Sequence, residues 1–99
     1  MDKTNQQYDH VMTACRSVFL NKMEDYGASW RILRPVSITD QIYIKARRIR
    51  SIEEMGKSKV NEGIRPEFIG IINYAVMGLI QLDLGPSDTE FPGEKYLSL

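Results

Sequence analysis

Apolar residues recur at helical intervals in three separate stretches of the chain. Tyr8, Val11, Met12, Cys15, Val18, Phe19 and Met23 fall three or four apart, which predicts an amphipathic helix over 5–24. Thr4 or Asn5 can cap its start, and Gly27 suits a left-handed stop. Pro35 interrupts any helix in the connector that follows, so Thr39 is the next capping candidate, with Asp40 in the first turn. Ile42, Ala46, Ile49, Ile52 and Met55 then line one side as far as Gly56. The polar, glycine-bounded segment Gly56–Gly63 reads as a loop. Pro66 suits the first position of a third helix, which Gly85-Pro86 ends.

Between Phe68 and Leu82 only Asn73 and Gln81 are strongly polar. Uninterrupted apolar stretches there fall short of the roughly 20 residues of a membrane span. A helix apolar all round is central or lies at a subunit interface. Gly70, Ala75 and Gly78 would permit close helix approach. No strand alternation and no internal repeat are visible. The expected fold is therefore all-α: a small three-helix bundle, with a short helical turn near 28–33, in a single domain over 1–85. The Pro-, Ser-, Gly- and acid-rich segment 86–99 reads as a tail or linker. Three helices, one of them apolar all round, leave surface uncovered, and a dimer or a tandem second module would complete the bundle.

Composition adds limits. Ninety-nine residues can bury one core of modest stability. A formal charge of zero provides no global basic field for nucleic acid or an anionic membrane. The single cysteine, Cys15, forms no internal disulfide and reads as a small buried apolar residue. With no apolar leader at its polar N-terminus, the chain is expected in a reducing cytoplasm.

The zero charge hides an asymmetry. Residues 1–50 carry nine basic and five acidic side chains, and residues 51–99 carry four and eight. Within 31–50, Arg31, Arg34, Lys45, Arg47, Arg48 and Arg50 are opposed only by Asp40. This segment is either a solvated face matched by acids elsewhere or a pocket for an anionic ligand. Lys45 and Arg48, three apart, share a face; Arg47 and Arg50 point elsewhere.

Candidate chemistry is sparse. CxxC, HExxH and glycine-rich phosphate-loop motifs are all missing, and His10 is the only histidine, which disfavours zinc. Any metal would be a hard one such as Mg²⁺, held by carboxylates and phosphate oxygens. The candidate acids are Asp25, Glu53, Glu54, Glu62 and Glu67. At Glu67 the helix dipole alone also favours an acid. Asn73 sits mid-helix between apolar neighbours, so its amide either bridges helices or faces a polar ligand. The connector sets Tyr26, Trp30 and Arg31 beside Gly27, as lids over the core or as walls of a site.

These strings, Asp25-Tyr26-Gly27 with Ser29-Trp30-Arg31, Ile44-Lys45-Ala46-Arg47-Arg48-Ile49, Glu62-Gly63-Ile64 and Ile72-Asn73-Tyr74-Ala75, carry a resemblance. Over roughly residues 8–84 the chain resembles the nucleotide-modification-associated domain of bacteria and phages. That family is similar in turn to the all-α nucleoside triphosphate pyrophosphatases, the group of MazG and the dimeric dUTPases. The resemblance implies a helical bundle, assembled as a dimer or tandem pair, with Mg²⁺ held on a nucleoside triphosphate by acids from facing helices. It places Lys45, Arg48 and Arg31 on phosphates. Tyr26, Trp30 and Asn73 would sit around the rest of the nucleotide, and Glu62, Glu67 and Asp25 on metal. The chain departs from the pattern where related domains place acids, at Pro66 and Gly70, and Ile44 precedes Lys45 in place of an acid. Nucleotide binding, in nucleotide metabolism or modification, is thus the expectation; hydrolysis by these residues alone is disfavoured, and acids of a partner chain or a second module would be needed to complete the site. The alternative is a non-catalytic interaction module with the third helix as its dimer interface. Nucleic-acid binding through residues 31–50 is the weakest of the three, because no groove-reading motif is present.

Overall fold

The computed structural model describes residues 2–56 and 60–87. Three helices and one short helical turn follow one another, α1 (Asp2–Tyr26), the 3₁₀ turn η1 (Ser29–Ile32), α2 (Pro35–Met55) and α3 (Val60–Leu84). The all-α expectation holds. The segment 86–99 expected as a tail or linker lies outside the described residues, apart from Pro86 and Ser87.

Helix starts are where sequence and structure differ. α1 begins at Asp2, so Thr4 and Asn5 lie inside it rather than capping it. Nothing in Lys3–Gln7 breaks a helix, and an acid in the first turn suits the dipole. α2 begins at Pro35, which starts the helix instead of interrupting it. Its missing N–H falls where no intrahelical acceptor is needed, and the ring holds Arg34 extended (φ −76°, ψ 154°). Thr39 is then one turn inside, and its hydroxyl donates back to Pro35 O at 3.1 Å. α3 begins at Val60, so residues 60–63 of the expected loop are helical and Pro66 lies within the helix. The turn ahead of that proline is braced where Gly63 lies against Ile52 of α2.

Helix ends match the sequence more closely. Gly27 (φ 67°) turns left-handed at the end of α1, as expected, and Gly56 (φ 60°) turns left-handed where the pattern of α2 was expected to stop. Gly85 does the same after α3.

α3 packs along α2 and, over a shorter stretch, on α1. Met23, Ala28 and Trp30 form the buried centre, flanked by Phe19, Leu33, Met77 and Ile80. Trp30 meets Phe19 edge-on, and its indole N–H points at Met23 Sδ, 3.1 Å away. Cys15 is buried, as expected of a small apolar residue. Gly78 lies against Ile38 of α2, so it belongs to a crossing within the chain.

α3 inverts the usual rule of burial. Its two buried residues, Asn73 and Gln81, are the polar ones, while Phe68, Leu79, Leu82 and Leu84 are exposed. Gln81 Nε2 donates to the carbonyls of Arg31 and Leu33, at 2.9 and 2.5 Å, and so ties α3 to the connector. By length and composition alone α3 is also long and apolar enough to cross a membrane, contrary to the sequence reading. A central helix of a bundle meets the same criterion.

Candidate functional site

A cleft of about 400 Å³ opens between α1 and α2 with α3 as its floor. The i, i+4 series Arg65, Ile69, Asn73 and Met77, with Pro66, Gly70 and Tyr74 beside it, supplies most of the wall. α1 contributes Val18 and Lys22, one turn apart, and α2 contributes Lys45. Three cations and one acid, Glu67, therefore surround a largely apolar surface.

Lys45 is placed by three neighbours. Its Nζ lies 3.4 Å from Glu67 Oε1, which also accepts from Arg48 Nη1 at 2.9 Å. The same ammonium stands 6.0 Å from the centre of the Tyr74 ring, at the outer reach of a cation–π contact. Its stem crosses Gly70 so closely that a Cβ built there would lie 2.6 Å from Lys45 Cε. Glycine at 70 is thus what admits the lysine. The pairs are partly solvated (side-chain exposure 23% at Lys45, 55% at Arg48), so they orient the side chains more than they stabilise the fold.

The structure brings together some of the expected site residues and separates others. Lys45, Arg48 and Glu67 meet, and Asn73 lines the same cleft. Asn73 also bridges helices, its amide donating to Cys15 O at 3.0 Å. Tyr26 is exposed at the rim of a second hollow of about 480 Å³, walled by Phe19, Trp30 and Leu33. This hollow shares Lys22, Tyr74 and Met77 with the first, so the two adjoin.

Trp30 and Arg31 turn inward. Trp30 is part of the core, although one side of it walls the second hollow. Arg31 is 5% exposed, with its guanidinium bonded to Gly85 O at 3.1 Å and 5.9 Å from the Trp30 ring centre. Its carbonyl accepts from Ser87 N–H as well as from Gln81. Arg31 is therefore a fastener between the connector and the end of α3.

Asp25 and Glu62 are exposed and line neither hollow. Among the described residues no three His, Cys, Asp or Glu side chains gather as a metal site. Glu67 is the one carboxylate in the cleft, and two cations already share its Oε1. Mg²⁺ beside phosphates keeps several waters and takes one or two carboxylates, so in this cleft Glu67 is the side chain that would hold it, in competition with Lys45 and Arg48.

Two cleft cations escaped the sequence reading. Lys22 shares a face with Val18, a signal available from the α1 periodicity. Arg65 was hidden because the helix was expected to start one residue later, at Pro66. Gln81 was noted only as a polar interruption.

An all-α domain with a cationic, apolar-walled cleft is what fold and site together define. The chain belongs to the family of nucleotide modification associated domain 1, a domain of unknown function, whose family profile matches residues 22–82. The matched span takes in the end of α1, the connector, α2 and α3, and so most of both hollows. The chain has no significant match among curated proteins or among solved structures.

Proposed function

We propose that the cleft binds a nucleotide, with Lys22, Lys45 and Arg65 on its phosphates and the adjoining aromatic hollow receiving the base. The arrangement of charge carries this reading: three cations converge on one cleft whose single acid is already shared by Lys45 and Arg48. Excess positive charge on a partly desolvated wall is what a phosphate chain requires. The family's description and the resemblance to all-α nucleoside triphosphate pyrophosphatases favour a nucleoside triphosphate over other anions. Tyr26, exposed at the far end, is free to stack on a base, whereas Trp30 contributes a fixed wall.

Hydrolysis is not assigned to these residues. Pyrophosphate release assisted by Mg²⁺ needs carboxylates that do not gather among the described residues, and Pro66 and Gly70 offer no ligand. Binding without turnover is the activity the site supports by itself. Thermal shift and titration calorimetry with common and modified (deoxy)nucleoside triphosphates test it. At least one nucleotide should raise the melting temperature, and Lys45→Ala should weaken its binding about tenfold. No response to any nucleotide would overturn the proposal.

A further inference from the structure

The cleft and the hollow beside it are built from different chemistry, and each suits a different part of a nucleotide. The cations of the cleft stand at successive heights along α3. Arg65 is at one end, Lys45 crosses at Gly70, and Lys22 reaches the place where cleft and hollow join, beside Tyr74 and Met77. That join lies nine to twelve residues beyond Arg65, on the order of 13–18 Å along the helix axis. A phosphate chain that starts from a base in the hollow therefore meets Lys22 first, Lys45 next and Arg65 last, and only a longer chain reaches the third. Lys45 shares Glu67 with Arg48, whereas Arg65 and Lys22 make no ion pair among the described residues. Their charge is unspent.

The hollow offers faces and no edge reader. To tell bases apart by their edges takes a fixed pattern of donors and acceptors, such as an amide, a carboxylate or a guanidinium supplies. Among the described residues none of these side chains lines the hollow. The Trp30 indole N–H points at Met23 Sδ, and the backbone N–H groups of Gly27 and Leu33 go to the carbonyls of Met23 and Trp30. The hydroxyls of Tyr26, Ser29 and Tyr74 can each donate or accept, so they do not tell a keto from an amino group. Every base, by contrast, has a face to set against an aromatic ring. We infer that the site selects a nucleotide by the length of its phosphate chain, with Arg65 at the terminal phosphate, and holds any base by its faces alone. The inference rests on the nucleotide reading above.

Titration calorimetry of the full chain, without added metal, tests it with the mono- and triphosphates of four common nucleosides and with inorganic tripolyphosphate. Each triphosphate should bind about tenfold tighter than its own monophosphate. The four triphosphates should agree within about threefold, and tripolyphosphate, with no face to stack, should bind more weakly than any of them. Arg65→Ala should lower the triphosphate-to-monophosphate ratio several-fold, and Arg65→Lys should recover part of it. Lys22→Ala should weaken both ligands and leave their ratio within about twofold. Equal binding of mono- and triphosphates, an unchanged ratio in Arg65→Ala, one base preferred by more than about tenfold, or tripolyphosphate binding as tightly as a nucleotide would each overturn the inference while leaving nucleotide binding in place. Binding of no nucleotide at all would remove the nucleotide reading, and this inference with it.

Discussion

The two sides of α3 obey opposite rules. Toward α1 and α2 the helix presents an amide, a lysine-filled glycine notch and a carboxylate shared by two cations; toward solvent it presents phenylalanine and leucine. A helix that served only to fill a core would show the reverse. The amide N–H groups survive burial here because each has something to hold: Asn73 the carbonyl of Cys15, and Gln81 the connector. On the apolar side α1 reaches only as far as a hollow that its Val11 shares with Phe68 and Ile72, while Leu79 and Leu82 stay exposed. The inner side is thus the one specified by hydrogen bonds and close approach.

Removing the firmest of those inner contacts should have the largest effect. Gln81 is 1% exposed and donates to two carbonyls. In Gln81→Ala the Leu33 carbonyl loses its donor and a void opens, whereas the Arg31 carbonyl keeps the Ser87 N–H. A loss of about 2–4 kcal/mol in urea-denaturation stability is expected, toward the low end because Gln81 Oε1 is itself buried without a partner. A loss under about 0.5 kcal/mol, the scale of an ordinary surface change, would show that α3 is not fastened to the connector through this residue.

Much of this division was legible from residue order alone, and the failures share a cause. Helix stops were read correctly because a left-handed glycine leaves a single-residue signature, as at Gly27 and Gly56. Starts were misread because proline has two meanings. Residue order marks 35 as a breaker and 66 as a starter, whereas Pro35 starts α2 and Pro66 lies inside α3. Local sequence does not decide between them; packing does, as when Gly63 against Ile52 holds a helical turn ahead of Pro66. Spacing puts Lys45 and Arg48 on one face, and the resemblance sets Glu67 at the same site as a metal ligand; the ion pairs that join the three come from the packing of α2 on α3. The inward turn of Arg31 was not legible, since no periodicity tells a solvated arginine from one bonded to a distant carbonyl such as that of Gly85.

Gly70 offers a sharper test of the inner side, because stability and binding should move apart. Alanine is favoured over glycine in a helix by up to about 1 kcal/mol, so Gly70→Ala has an intrinsic reason to melt higher. Its methyl, however, would take the space of the Lys45 stem, a flexible chain that can swing aside. Melting temperature should hold or rise while nucleotide affinity falls about tenfold, or ~1.4 kcal/mol. Loss of both together would mean that the notch serves the fold and that the cleft does not depend on where Lys45 stands.

The smallest expected effect separates two roles for one carboxylate. If Glu67 is the counter-ion that holds Lys45 and Arg48 in place, it also competes with phosphate for them. Glu67→Gln keeps the size and a hydrogen-bond acceptor but removes the negative charge, raising the net charge of the cleft by one. Affinity for a triphosphate without added metal should then rise a few-fold, on the order of 0.5–1 kcal/mol as expected for partly solvated pairs. The gain should shrink as ionic strength increases. If Glu67 instead held Mg²⁺ against the phosphates, the same change would weaken binding, and only with the metal present. Titrations of the wild type and Glu67→Gln, each with Mg²⁺ and with a chelator, give opposite signs for the two roles, so even a few-fold change decides between them.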